Sequence, residues 1–151
     1  MTLWQTIAAE AERESPLWAE SLRAEADREH VPVFSALADE RFALGLETIY
    51  EGYLVHYGRP RLFAPPDPDA ALLLGDYLYA HGLVRIAELG ELEAIRLLAD
   101  LISRCAQLRA AASAGDGEAW AETAARLGGN GARGAREEAL AVHARRIDSA
   151  P

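Results

Sequence analysis

The chain of 151 residues has no lysine, one cysteine, one methionine and few aromatic side chains, about 7% of the total. Each scarcity excludes something. A single cysteine, Cys105, cannot staple the chain to itself, and this usage is that of a reducing compartment. Positive charge is carried by arginine alone, and the net charge is −9, which argues against nucleic-acid binding by phosphate neutralisation. No apolar run approaches the ~20 residues of a membrane span. Met1-Thr2-Leu3-Trp4-Gln5 lacks the basic start and apolar core of a secretory signal. The expectation is a soluble, cytoplasmic, acidic protein of ordinary single-domain size, with neither nucleic acid nor a membrane span among its partners.

What is present is helical periodicity. Thr2-Leu3-Trp4-Gln5 has the form of a capping box, and Leu3, Trp4, Ile7, Ala8 and Ala11 follow as one stripe. Ser15-Pro16 reads as cap and first turn of a second helix, with a charged continuation through Glu29. A long helix is predicted over 32–57, with Phe34, Leu37, Phe42, Leu46, Ile49, Tyr50, Tyr53 and Tyr57 spaced by threes and fours. Four of the seven prolines fall in 58–68, which must be an extended loop. Helices are predicted over 69–89 and 91–112, then a short one from Asp116. Gly128-Gly129-Asn130-Gly131 reads as a joint before a last helix over 136–147. The fold class is therefore all-α, a bundle of about six to seven helices. A single helical domain over 1–127 is followed by the glycine-rich joint and C-terminal helix over 128–151.

The helix over 69–89 is the most informative. It is apolar nearly all round, with His81, Arg85 and Glu88 as its only polar stripe. Ala71, Gly75 and Gly82 share a face that a neighbouring helix could approach closely. Asp76 points between Leu72, Leu73, Tyr79 and Leu83, which predicts a buried, hydrogen-bonded structural anchor.

The stretch Ala70-Ala71-Leu72-Leu73-Leu74-Gly75-Asp76-Tyr77-Leu78-Tyr79-Ala80-His81-Gly82-Leu83 resembles the "AVLxGDxLLAxA" helix of trans-isoprenyl diphosphate synthases. Residues 91–110 resemble the helix that follows there. Glu47 to His56 resembles the helix ending "LVHDD", so the resemblance spans about residues 42–110. It implies a truncated version of the isoprenoid synthase fold. The departures carry equal weight. Where the family places its first aspartate-rich motif, this chain has Tyr57 and Gly58, neither of which ligates magnesium. The second motif would lie beyond the residues given. The resemblance is thus to the short, non-catalytic small subunit of heteromeric prenyl diphosphate synthases, which pairs with a catalytic subunit and influences product chain length. It implies no enzyme activity of the chain alone and no cofactor or metal. The implied partner is a catalytic subunit or a second copy, through helices matching 69–110, with an apolar or prenyl ligand as a further possibility. Tyr77, Tyr79, His81, Leu83 and Arg85 are then interface or ligand-tunnel candidates. Arg59 and Arg61 are weak candidates for diphosphate contact, against the reading of solvated loop arginines. The rival readings are a self-associating helical domain that binds an apolar ligand and an enzyme of unrecognised chemistry.

Other residues admit plainer roles. Glu47 and Glu51 share a helix face as acid–base or metal-binding carboxylates do, yet pairing with arginines of neighbouring helices suits them better. Asp67 and Asp69 flank Pro68 as helix cap and dipole partner rather than half an aspartate-rich motif. Cys105 lies on an apolar stripe. His30, His56, His81 and His143 fall on separate elements without a metal-binding spacing, and Arg145-Arg146 is too short for a nucleic-acid patch. Tyr50, Tyr53, Tyr57, Tyr77 and Tyr79 are read as core and interface packing, with a ligand pocket as the alternative.

Overall fold

The computed structural model describes residues 1–128 and 133–148, except the side chains of Arg133 and Asp148. Among them are seven α-helices and no strand: α1 (Leu3–Glu14), α2 (Pro16–Ser21), α3 (Ala43–Tyr57), α4 (Pro68–Ala87), α5 (Leu92–Ala110), α6 (Asp116–Arg126) and α7 (Arg133–Asp148). The fold is an all-α bundle. Of the expected 128–131 joint only Gly128 is described, and 149–151 also lie outside the described residues.

Local chemistry sets the starts of the helices. The Thr2 hydroxyl accepts from the Gln5 N–H, and the Gln5 side chain accepts from the Thr2 N–H, closing the capping box of α1. The Ser15 hydroxyl caps α2 ahead of Pro16, and Asp67 Oδ1 accepts from the Ala70 N–H ahead of α4.

Two predicted helices are shorter than their periodicity suggests, because their backbone groups bond elsewhere. The charged continuation of α2 is not α-helical beyond Ser21 and keeps only a 3-10 turn at Glu25–Asp27. Arg23 N–H donates to Leu62 O, Ala64 N–H to Ser21 O and Glu29 N–H to Arg61 O, lacing 21–29 to the proline-rich loop. The helix predicted from Pro32 begins only at Ala43, after 3-10 turns at Ser35–Leu37 and Glu40–Phe42. Glu47 Oε2 accepts the N–H groups of Val33 and Ser35, and Asp39 N–H donates to Leu127 O. Those donors are thereby withheld from a helical ladder.

Helix α3 is buried along almost its whole length. Its broadest contact is with α4, where Gly45 and Gly52 meet Gly75 and Gly82. A β-carbon at Gly52 would lie 2.9 Å from the Gly75 carbonyl oxygen, and one at Gly82 would overlap Ile49. The expected close approach along Ala71, Gly75 and Gly82 is therefore made by α3. One core packs α3, α5 and α6 around Phe34, Tyr50, Tyr53, Leu98 and Trp120. A second, with Trp4, Ile7, Leu62, Phe63, Leu74 and Leu78, lies between α1 and the α3–α4 pair. Helix α7 packs on α3 and α6, burying Ala139, His143 and Arg146.

Candidate functional site

Among the helices, the outward side of α4 and the start of α5 present the most exposed large apolar side chains. Leu72 is 57% exposed, Leu73 54%, Val84 50% and Leu92 79%. Beside this strip, α4 and α5 enclose a trough with the last turn of α3. Its larger part, about 560 Å³, is lined by Val55, His56, Tyr57, Leu72, Tyr79 and Ile102, among others. A shallower part of about 320 Å³ continues past Ala80, Leu83 and Ala99. Both parts share Asp76, Tyr79 and Ile102.

Asp76 is not the buried anchor predicted. Its side chain is 64% exposed, with His56 Nε2 3.4 Å from Oδ1. The helical wheel misleads because α3 covers the Gly75–Gly82 face of α4 and Leu74 and Leu78 pack into the core shared with α1, leaving Leu72, Leu73 and Asp76 exposed. The His56 Nε2 also lies 3.1 Å from the Leu72 carbonyl oxygen. Since a carbonyl only accepts, Nε2 carries the hydrogen. The ring occupies space that a β-carbon at Gly75 would take, so glycine at 75 seats His56 beside Asp76.

The other candidates on α4 divide between two sides of the helix. Tyr79 and Leu83 belong to the trough and pack partly against the main core. Burial pushes the Tyr79 hydroxyl pKa up from its ordinary value. Tyr77, His81 and Arg85 turn the other way, away from the trough. Tyr77 stacks on Trp18 and His81, at centroid distances of 5.6 and 5.3 Å. His81 and Arg85 both bond Glu10 of α1, His81 at 2.7 Å. Burial alone would raise the Glu10 pKa, but the bonds and charges of His81 and Arg85 hold it below the usual carboxylate range. The polar stripe of α4 thus serves the α1–α4 contact.

Arg61 is the clearest departure from its sequence reading. It is neither a solvated loop arginine nor open to a diphosphate, being 0% exposed. Its Nη1 donates to Glu47 Oε1 at 2.6 Å and to Val31 O at 2.8 Å, while Nε donates to Glu51 Oε1 at 2.9 Å. Glu51 further accepts the N–H groups of Arg61 and Leu62. Glu47 and Glu51 do pair with an arginine, but one supplied by the proline-rich loop. Arg59, 43% exposed, lies 3.7 Å from Glu29 and lines neither part of the trough.

A second polar cluster had no sequence signal beyond the presence of its residues. Asp116 Oδ2 accepts from Tyr53 OH at 2.6 Å, Arg109 Nη2 at 2.7 Å and His143 Nε2 at 3.1 Å. The other nitrogen of His143 meets Tyr50 OH at 2.7 Å, and Gly117 N–H donates to Asp116 Oδ1. A carboxylate receiving four donors has little capacity left for a substrate. This cluster ties α3, α5, α6 and α7 together. Burial would raise the Asp116 pKa, but the bonds from His143, Tyr53 and Arg109 outweigh it and hold it well below the usual range. Burial pushes the neighbouring Cys105 thiol up to about 12, consistent with a packing role.

Among the described residues no three His, Cys, Asp or Glu side chains converge to hold a metal ion, and no helix is long and apolar enough to cross a membrane. No protein family, curated protein or solved structure matches the chain.

Proposed function

We propose that this chain is a non-catalytic, isoprenoid-synthase-like subunit that docks through α4 and α5 onto a catalytic prenyl diphosphate synthase and influences its product chain length. The observation that carries the reading is the strip Leu72, Leu73, Val84 and Leu92, each at least half exposed. Large apolar side chains left exposed on two neighbouring helices are what a docking site supplies. The resemblance of residues 42–110 to the synthase helices supports the identity of the partner. Tyr57 and Gly58 in place of an aspartate-rich motif support a role without chemistry of its own. The direct experiment is a prenyl-transfer assay of three samples: the chain, a synthase from the same genome bearing both aspartate-rich motifs, and the pair. Activity of the pair with altered product length, and none from the chain alone, is the expected result. Turnover by the chain alone would refute it.

A second reading, a self-associating helical domain that holds an apolar ligand, is favoured by the trough. Its 560 Å³ lies within the ~300–1,000 Å³ of small-molecule sites, and its lining is mainly apolar and aromatic.

A further inference from the structure

We propose that the trough binds a cationic amphiphile, an aliphatic body along α4 and α5 with an ammonium head set against Asp76. The inference rests on the ligand-holding reading and adds the charge of the ligand.

The body follows from the lining. Val55, Ala71 and Leu72 line one part, Leu83 and Ala99 the other, and Ile102 lines both. Asp76 therefore stands where the two parts of the trough join. The head follows from charge. No arginine lines either part, so an anionic head would meet a carboxylate with no guanidinium beside it. Arg109, whose guanidinium lies over the Tyr57 ring at 5.4 Å, is bound to Asp116 and Tyr53. His56 spends its Nε2 hydrogen on the Leu72 carbonyl oxygen at 3.1 Å, with Asp76 farther off at 3.4 Å. Tyr79 adds an aromatic ring to the lining, a group that attracts ammonium ions. Glycine at 75 is what lets His56 lie against α4, so the polar group at the join of the trough is set by helix packing.

The test uses the isolated chain at about pH 8 with N-phenylnaphthylamine as a fluorescent apolar probe. Decylamine, decanol and decanoate compete below their micelle concentrations. An exposed ion pair plus a cation–aromatic contact predicts displacement by decylamine at about tenfold lower concentration than by decanoate, with decanol between. Asp76→Asn removes the advantage of the amine and leaves decanol unchanged. Glu20→Gln, which deletes the same charge from α2, preserves it. Ala106→Trp, which fills the trough from α5, weakens all three competitors. If decanol binds but the amine has no advantage, or keeps it in Asp76→Asn, the cationic ligand is refuted while the ligand-holding reading stands. If none of the three competes, or Ala106→Trp changes nothing, both fall.

Discussion

The imidazole of His56 lies over Gly75, in the space a side chain at that position would fill. The same rule governs the whole α3–α4 seam, where glycines of each helix face the other and backbone meets backbone. In an exposed helix, alanine is more stable than glycine by about 1 kcal/mol. At this seam the sign should reverse. Gly82→Ala would push a methyl into Ile49 and close to the backbone of Gly45, so a loss of about 1–3 kcal/mol is expected. Gly134→Ala, on α7 with nothing within 4 Å, should stabilise by up to about 1 kcal/mol. Thermal melts decide it, each kcal/mol moving Tm by about 2–4 °C in a chain of this size. Equal shifts of the same sign at both positions would contradict the packing described.

Arg61→Met should be far more damaging than Arg59→Ala. The first strands Glu47 and Glu51 in a fully buried site, which typically costs about 3–5 kcal/mol. The second removes a half-exposed contact at 3.7 Å, worth under about 1 kcal/mol. Urea unfolding of both variants measures the difference. Similar midpoints would mean that the buried triad does not hold the proline-rich loop to α3.

Much of this fold is legible in the residues themselves. Thr2, Ser15-Pro16 and Asp67-Pro68 each start the helix they announce, because cap chemistry is local. The stripe of α5 and the close face of α4 are equally readable from periodicity. What periodicity cannot show is where a side chain four turns away sends its hydrogen bonds. Glu47 captures the N–H groups of Val33 and Ser35, and so a predicted helix from Pro32 becomes extended chain and 3-10 turns. Arg61 looks like any loop arginine until two glutamates of α3 enclose it. Asp76 fails for a related reason: a wheel shows which residues share a face, but not which face α3 will cover. His143 and Asp116 are 27 residues apart, and nothing near either foretells the bond between them.

Acid should loosen the bundle through its depressed carboxylates. The Asp116 pKa lies below its unfolded value, and so does that of Glu29, chiefly through its bond from Arg146. A depressed pKa contributes stability that is complete above the unfolded value, about 4, and is lost as pH falls through the folded value. Tm should therefore decline as pH drops below about 4. Asp116→Asn should melt lower at neutral pH and show a flatter decline in acid. An Asp116→Asn profile parallel to that of the parent would show that Asp116 does not carry the effect.

Association is tested most cleanly away from the core. Tyr79 and Leu83 pack partly into the monomer, so a charge there would disturb folding and docking together. Leu73 and Val84 stand free of that core, which makes the double variant Leu73→Glu, Val84→Glu the better probe. The decisive measurement is the mass, by light scattering, of the chain mixed with the catalytic synthase of its own genome, with circular dichroism alongside. A heteromer that forms with the parent and is lost in the helical double variant is the predicted result, consistent with a stable interface of ~1,600 Å² centred on that strip. A mixture in which the parent chain stays at its separate mass at high concentration would contradict the account.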